Sequence, residues 1–261
     1  MTNIVTVHFT YTTATTGSGK TNATFNVLKD IIDNKLQNVM THGAENAASL
    51  AIDSAIGLNE FYSERNGTSE LVSAKRNEGG FVRVVSSINE DEKMRNTFDC
   101  DMVITQTRLI EADDEKNLPE KLIIKGAIFD FRNSLLPVEF SVLNPNAISY
   151  FDGLGVSASN PVFTRVQGRQ ISEVVKRTMT QESAFGDPIV RTYASTRKDY
   201  VITWAAAEPY EWDSEDTITV NDMKKAMSDR ETVLATLKSR QDEYKASKNA
   251  PAAPAQGGFN F

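Results

Sequence analysis

Leu122-Ile-Ile-Lys125-Gly126-Ala-Ile-Phe129-Asp-Phe131 and Val162-Phe-Thr-Arg165-Val-Gln-Gly168-Arg169 are the two stretches whose reading decides the fold. Side chains at i and i+2 of a strand share a face. In the first stretch Leu122, Ile124 and Ile128 fall on one face, and Lys125, Ala127, Phe129 and Phe131 on the other. In the second, Val162, Thr164 and Val166 oppose Phe163, Arg165, Gln167 and Arg169. Each stretch thus offers one face to a core, while the other mixes rings with basic and amide groups. This period of two predicts β-strands.

Working outward, the same pattern predicts strands at Phe81-Val-Arg83-Val-Val, Phe98 to Thr105 and Val138 to Val142. Asn144-Pro145-Asn146 predicts a turn, and residues 146–154 one short helix. Val174 to Thr180 and Ile189 to Trp204 predict a long hairpin with Phe185-Gly-Asp-Pro at its tip. On its second strand Arg191 has the parity of Tyr193, and Tyr200 that of Trp204.

Residues 1–27 read as β, because Val5, Val7, Phe9 and Tyr11 alternate with Thr6, His8, Thr10 and Thr12 before a Gly17-Ser-Gly19 turn, after which Asn22 to Val27 could return as a second strand or open a helix. Leu28, Ile31, Ile32, Leu36 and Val39 predict a helix over 27–40, with Gly43 as its stop. Ala48, Ala51, Ile52, Ala55 and Ile56 predict a second, alanine-rich helix over 45–56, and Asn66-Gly67 a turn. At the other end a helix is expected over 220–248. Thr219 would cap it, with Asp222 three positions on, and Met223, Met227, Leu234 and Leu237 would form its apolar stripe. Residues 250–261 are Pro/Ala/Gly-rich, a composition that predicts disorder.

The expected organisation is an α+β chain: residues 1–78 as an N-terminal β-hairpin and helices, 79–218 as a β-barrel with an extended hairpin, 219–249 as a C-terminal helix and 250–261 as a tail.

Composition narrows the functional classes. Apolar runs stop at about five residues, far short of the roughly 20 a membrane helix needs. The N-terminus lacks a basic region followed by an apolar stretch, so the expected setting is the cytoplasm. One cysteine (Cys100) and two histidines (His8, His42) leave little for a zinc cage or a nucleophile–base pair. No cofactor, no metal and no enzymatic activity are expected. Asp99 and Asp101 stand at i, i+2, where a metal could bridge them, although such pairs are more often a solvated strand face.

The net charge of −7 hides a gradient. Residues 161–204 hold seven basic and four acidic side chains, so that segment is +3 and the remainder −10. Rings interleaved with cations suit a single strand of nucleic acid, in which bases stack on the rings and phosphates meet Lys or Arg. The stacking candidates are Phe81, Phe129, Phe131, Phe163, Tyr193 and Trp204. The phosphate candidates are Arg83, Lys125, Arg132, Arg165, Arg169, Lys176, Arg177, Arg191, Arg197 and Lys198.

The five-strand pattern from 79 to 170, the Lys125-Gly126 pair inside an apolar strand and Val166-Gln-Gly168-Arg169 resemble the OB-fold single-stranded DNA-binding proteins of bacteriophages and mobile elements. The resemblance covers residues 79–205. It implies an OB-like antiparallel barrel and sequence-nonspecific single-stranded DNA binding in replication or recombination, with self-association as a further expectation. Bacterial single-stranded DNA-binding proteins typically end in an acidic tip that docks partner proteins. Here the end is Gly257-Gly-Phe259-Asn-Phe261 without an acid, so Phe259 and Phe261 alone remain as partner-binding candidates.

Two other readings compete. A phage structural or assembly protein would use the same β-rich body without touching nucleic acid. A nucleotide-binding protein would use Ala14-Thr-Thr-Gly-Ser-Gly-Lys20-Thr21, which looks like a phosphate-binding loop but lacks the opening glycine and any βα alternation after it. A hairpin tip explains that loop equally well.

Overall fold

The computed structural model describes residues 3–65, 67–113, 118–214 and 217–249. Its elements are β1 (Val7–His8), α1 (Ala23–Ile32), α2 (Val39–His42), β2 (Ser49–Arg65), β3 (Thr68–Val85), β4 (Thr97–Ile110), β5 (Lys121–Phe129), β6 (Leu135–Val142), α3 (Pro145–Gly153), β7 (Val162–Gln181), β8 (Ile189–Ala205) and α4 (Val220–Asn249). The chain is thus a mixed α+β protein, mostly strand, with two sheets. One is three-stranded, in the order β1-β3-β2. The other closes on itself in the order β4-β5-β6-β8-β7, with β7 returning to β4.

The closed sheet is built from the alternation that opened the sequence reading. Met102, Ile104, Leu122, Ile124, Ile128, Val138, Phe140, Val142, Val166 and Ile202 fill its interior, and α3 contributes Phe151. Asn144 starts α3 by accepting from the amides of Asn146 (2.9 Å) and Ala147 (3.3 Å), and Pro145 occupies the first turn, where no amide is needed. Closure forces the strands together at two glycines. A β-carbon on Gly126 would lie 2.0 Å from the Val103 carbonyl oxygen, beside an irregularity in β4 between Ile104 and Gln106. One on Gly168 would lie 2.2 Å from the Val201 carbonyl oxygen, beside a second irregularity in β7–β8. A glycine inside a strand marks such a close approach. Both belong to the segments on which the sequence resemblance rested.

Four expectations need correction. Residues 49–65 form β2 and not an alanine-rich helix. Ile56, Leu58, Glu60 and Tyr62 alternate inward along it, and seventeen residues pair in antiparallel register with β3 from Ser49↔Val85 to Arg65↔Thr68. Pairing and burial override the helix propensity of scattered alanines. Phe81–Val85 is a strand, but it ends β3 in the three-stranded sheet and takes no part in the closed one. Among the described residues 3–22 only Val7–His8 is a named strand, and from Ala23 the chain takes the helical alternative. Asn22 already opens α1 by accepting from the Thr24 amide at 3.1 Å. That helix stops at Ile32, short of residue 40, because Asn34 turns left-handed at φ 54°.

Helix α4 begins as its sequence predicts. The Thr219 amide donates to the Asp222 carboxylate (3.2 Å), and the Asp222 amide to the Thr219 hydroxyl (3.1 Å). Its inward stripe differs by one position. Met227 is exposed, and Ala226 and Arg230 point in beside Met223, Leu234 and Leu237. Arg230 pairs with Glu60 of β2 at 2.6 Å and donates to the Leu135 carbonyl of β6 at 3.3 Å, so α4 ties the two sheets together.

A second tie passes through β3. The parallel β6–β8 pairing covers only Ser141↔Val201 and Val142↔Ile202. Beyond it Lys75 of β3 reaches across, with its ammonium 4.8 Å over the Tyr200 ring and 5.4 Å over Phe140, and donates to the Glu139 carbonyl. Beside it the Tyr200 hydroxyl donates to buried Asn77 (2.8 Å), and the Asn77 amide donates to Gln170 (2.7 Å). These polar groups are buried yet satisfied, which is the condition for tolerating them.

Past Ser172↔Lys198, β7 and β8 leave the closed sheet as a two-stranded arm that runs to Gln181↔Ile189. At about 3.3 Å per residue it extends roughly 30 Å. The long hairpin is where the sequence puts it.

Candidate nucleic-acid interface

The outer face of β7 has the expected parity, but its groups are already committed. Phe163 is only 5% exposed. The chain returning after β8 lies over it, with ring centroids 4.9 Å away for Tyr210 and 5.7 Å for Trp212. Tyr210 is held there by its amide on the Phe163 carbonyl (2.8 Å) and its hydroxyl on Asp101 (3.0 Å). Phe163 is therefore a packing residue and not a base platform. Arg165 makes two parallel hydrogen bonds to Asp99, at 2.8 and 2.6 Å, and Gln167 adds a third at 3.0 Å. This charge-assisted fork holds the Asp99 carboxyl below its ordinary range and the guanidinium above its own. Arg169 donates to the Glu92 carbonyl. Asp99 and Asp101, weighed above as metal ligands, thus serve Arg165, Gln167 and Tyr210.

The outer face of β5–β6 is committed as well. Lys125 meets Glu139 at 2.7 Å. Phe129 packs with Ala127 and Leu135 beneath Met223 and Ala226 of α4, so it too is a packing residue. Phe131 lies past the end of β5 in a turn, 88% exposed, with the Arg132 guanidinium 5.0 Å from its ring. Phe81 is exposed on β3, and Arg83 pairs with Asp53 across β2–β3 at 2.9 Å. These four residues stand outside the closed sheet's face.

The arm is different. Arg191 and Tyr193 share a face by register, Tyr193 is 51% exposed, and Lys198 is exposed at the root. Neither Arg191 nor Lys198 has an ion-pair partner among the described residues. Lys176, Arg177 and Arg197 lie in the arm's backbone register, while their side chains fall outside the described residues, as do Phe259 and Phe261 of the tail. The expected parity of Tyr200 with Trp204 is broken. Gly168 pairs with Ile202 but Gln167 with Trp204, so Thr203 is an extra residue. This bulge turns Trp204 outward (48% exposed) while Tyr200 faces the core. Phe185 at the tip (94% exposed) and Met179 complete the surface. The sequence reading passed over both, although a ring at a hairpin tip is itself a signal.

The Ala14–Thr21 loop is a small turn closed by a Thr15↔Thr21 bridge, with the Thr16 amide on the Lys20 carbonyl at 2.8 Å. The Asn22 side chain takes the Thr24 and Phe25 amides of the following helix, which are groups a phosphate would need. Cys100 offers no nucleophile, since burial pushes its thiol up to about 12. Among the described residues no helix is long and apolar enough to cross a membrane.

The fold and its surfaces define a β-rich α+β protein with a closed five-stranded sheet and a basic, aromatic arm. By sequence the chain belongs to the YorF family, whose model matches residues 2–240. No curated protein and no solved structure matches it.

Proposed function

We propose that this protein binds single-stranded DNA without sequence preference, through the β7–β8 arm and the Trp204 edge at its root, and does no chemistry on it. The observation that carries the reading is the arm: exposed Arg191, Tyr193, Lys198 and Phe185 on one projection, in a chain whose Lys125, Arg165 and Arg169 on the outer face of the closed sheet are engaged by Glu139, Asp99 and the Glu92 carbonyl. The strand order adds support. Counted from β4, it runs first-second-third-fifth-fourth, with α3 between the third and fourth strands, and this fits an OB-like Greek-key barrel. In OB-folds the connection between the fourth and fifth strands helps grip the oligomer. Here that connection is the arm. Such binding suits replication or recombination in a phage setting.

The test is titration with oligo(dT), read by Trp204 fluorescence in a Trp212→Phe background, across a salt series and against duplex DNA. The expected result is quenching that favours the single strand, with a log–log salt slope of roughly −2 to −3.5 for about three to five phosphates. Absence of binding at low salt overturns the reading. An assembly protein would then take its place, favoured by the exposed apolar Met179, Phe185, Ile189 and Val190 of the arm.

A further inference from the structure

The root of the arm meets β1 and β3 at a cavity of about 80 Å³. That is room for roughly two or three waters, or one tetrahedral anion. The chain carries 35 acidic residues, yet none lines this cavity. Its walls instead hold His8, Lys75, Arg76 and Lys198, with the hydroxyl residues Thr6 and Ser172 between them.

The acids nearby are spent elsewhere. Glu78 is held by Arg76 at 2.8 Å, Glu139 by Lys125 at 2.7 Å, and Asp199 by the Ser141 hydroxyl at 2.8 Å and Lys121 at 3.4 Å. The amides of Asn77 and Gln170 are locked into the Tyr200 network, so they act as fixed walls. Lys198 stands next to Ser172 in the β7–β8 register, and His8 next to Glu78 in the β1–β3 register. Three strands from two sheets thus bring Lys75, Arg76, Lys198 and the His8 ring to one small space. Burial presses the Lys75 amine toward its neutral form, against the pull of Asp199 and Glu139. An anion in the cavity would relieve that cost.

We propose that this cavity is a phosphate subsite, in which His8 and Lys198 hold one phosphate while Lys75 and Arg76, engaged by the Glu139 carbonyl and Glu78, add their charge from the wall. It deepens the single-strand reading and rests on it only for the owner of the phosphate. A strand lying along the arm would place a backbone phosphate here, where arm and body meet.

The chain has two histidines, so the His8 ring resonances can be assigned with a His42→Gln variant and followed by NMR. The protein is titrated with inorganic phosphate at constant ionic strength, and separately with oligo(dT). Saturable movement of the His8 signals by both probes is expected. Lys198→Ala, an exposed change that should leave the urea midpoint unmoved, should weaken phosphate at least fivefold. It should also flatten the oligo(dT) salt slope by about 0.7, the share of one phosphate. If oligo(dT) quenches Trp204 but neither probe moves His8, the subsite is wrong and the single-strand reading stands. If phosphate binds with Lys198 dependence and oligo(dT) does not bind, the subsite stands as a free-phosphate site and the reading falls.

Discussion

β7 and β8 each pass through two environments, and their basic residues behave differently in the two. In the body, Arg165 faces β4 and is matched by Asp99, while Arg169 is taken by the Glu92 carbonyl. In the arm neither strand has a third neighbour among the described residues, and none of their acids pairs with Arg191. The strands are the same and the composition is similar, but the neighbour differs. A third strand with acids at the facing register positions makes a neutral structural face, whereas an unaccompanied hairpin leaves its cations to solvent or to a ligand. Counting basic residues along the sequence gives +3 for 161–204 but does not say which of them are free.

The comparison breaks most severely at the glycines. Gly126→Ala puts a β-carbon 2.0 Å from the Val103 carbonyl oxygen, and backbone cannot yield as a flexible side chain can. The expected loss is about 3 kcal/mol or more. Gly186→Ala, at the arm's tip, meets nothing within 4 Å and suffers only the strain of φ 88°, about 1–2 kcal/mol. Urea denaturation checks both. Labelling of Cys100 sharpens the result, because its half-buried thiol, pushed up in pKa, reacts faster when the closed sheet opens. Gly126→Ala should speed labelling and Gly186→Ala should not.

Much of this fold was legible. The alternation in 98–105, 122–129, 138–142 and 162–168 located four strands of the closed sheet because each has one face that is apolar but for Thr164. Gly67 at φ 78° closes the β2–β3 hairpin where Asn66-Gly67 predicts a turn. Strand partnership was not legible. Phe81–Val85 alternates as well as any strand, and nothing local says which sheet it joins. The site suffered in the same way. Parity put Phe129 and Phe163 on the outer faces correctly. What covers them, α4 for one and Tyr210 with Trp212 for the other, comes from segments more than 45 residues away. A one-residue bulge at Thr203 was enough to part Trp204 from the face of Tyr200.

The next test asks whether binding follows the free cations and rings or all of them. Tyr193→Ala should weaken oligo(dT) by about 5- to 150-fold, equivalent to about 1–3 kcal/mol for one lost stack. Its urea midpoint should stay put, since surface changes cost within about 0.5 kcal/mol. Phe163→Leu should do the reverse, disturbing the packing of Tyr210 and Trp212 and leaving affinity unchanged. If Phe163→Leu weakens binding with the fold intact, the contrast between body and arm is lost.

The smallest effect tests the contrast from the other side, by making the body resemble the arm. Asp99 has a depressed carboxyl because it accepts from Arg165 and Gln167. A group lowered on folding contributes stability above its unfolded value, here near 3.8, and loses it as pH falls through the folded one. Both partners are about half exposed (50% and 41%), so screening keeps the contribution small. Wild type and Asp99→Asn should differ slightly in urea midpoint at neutral pH, and the difference should fade below pH ~3.8 and in high salt. Binding carries the sharper signal. Asp99→Asn keeps hydrogen-bond capacity but removes the charge that neutralises Arg165. The freed guanidinium lies two register positions from Trp204 and on the same face, because Gln167 pairs with Trp204 and Val166 with Ala205. If a strand passes over that edge, Arg165 should gain a phosphate and steepen the salt slope by about 0.7. An unchanged slope would confine the strand to the arm.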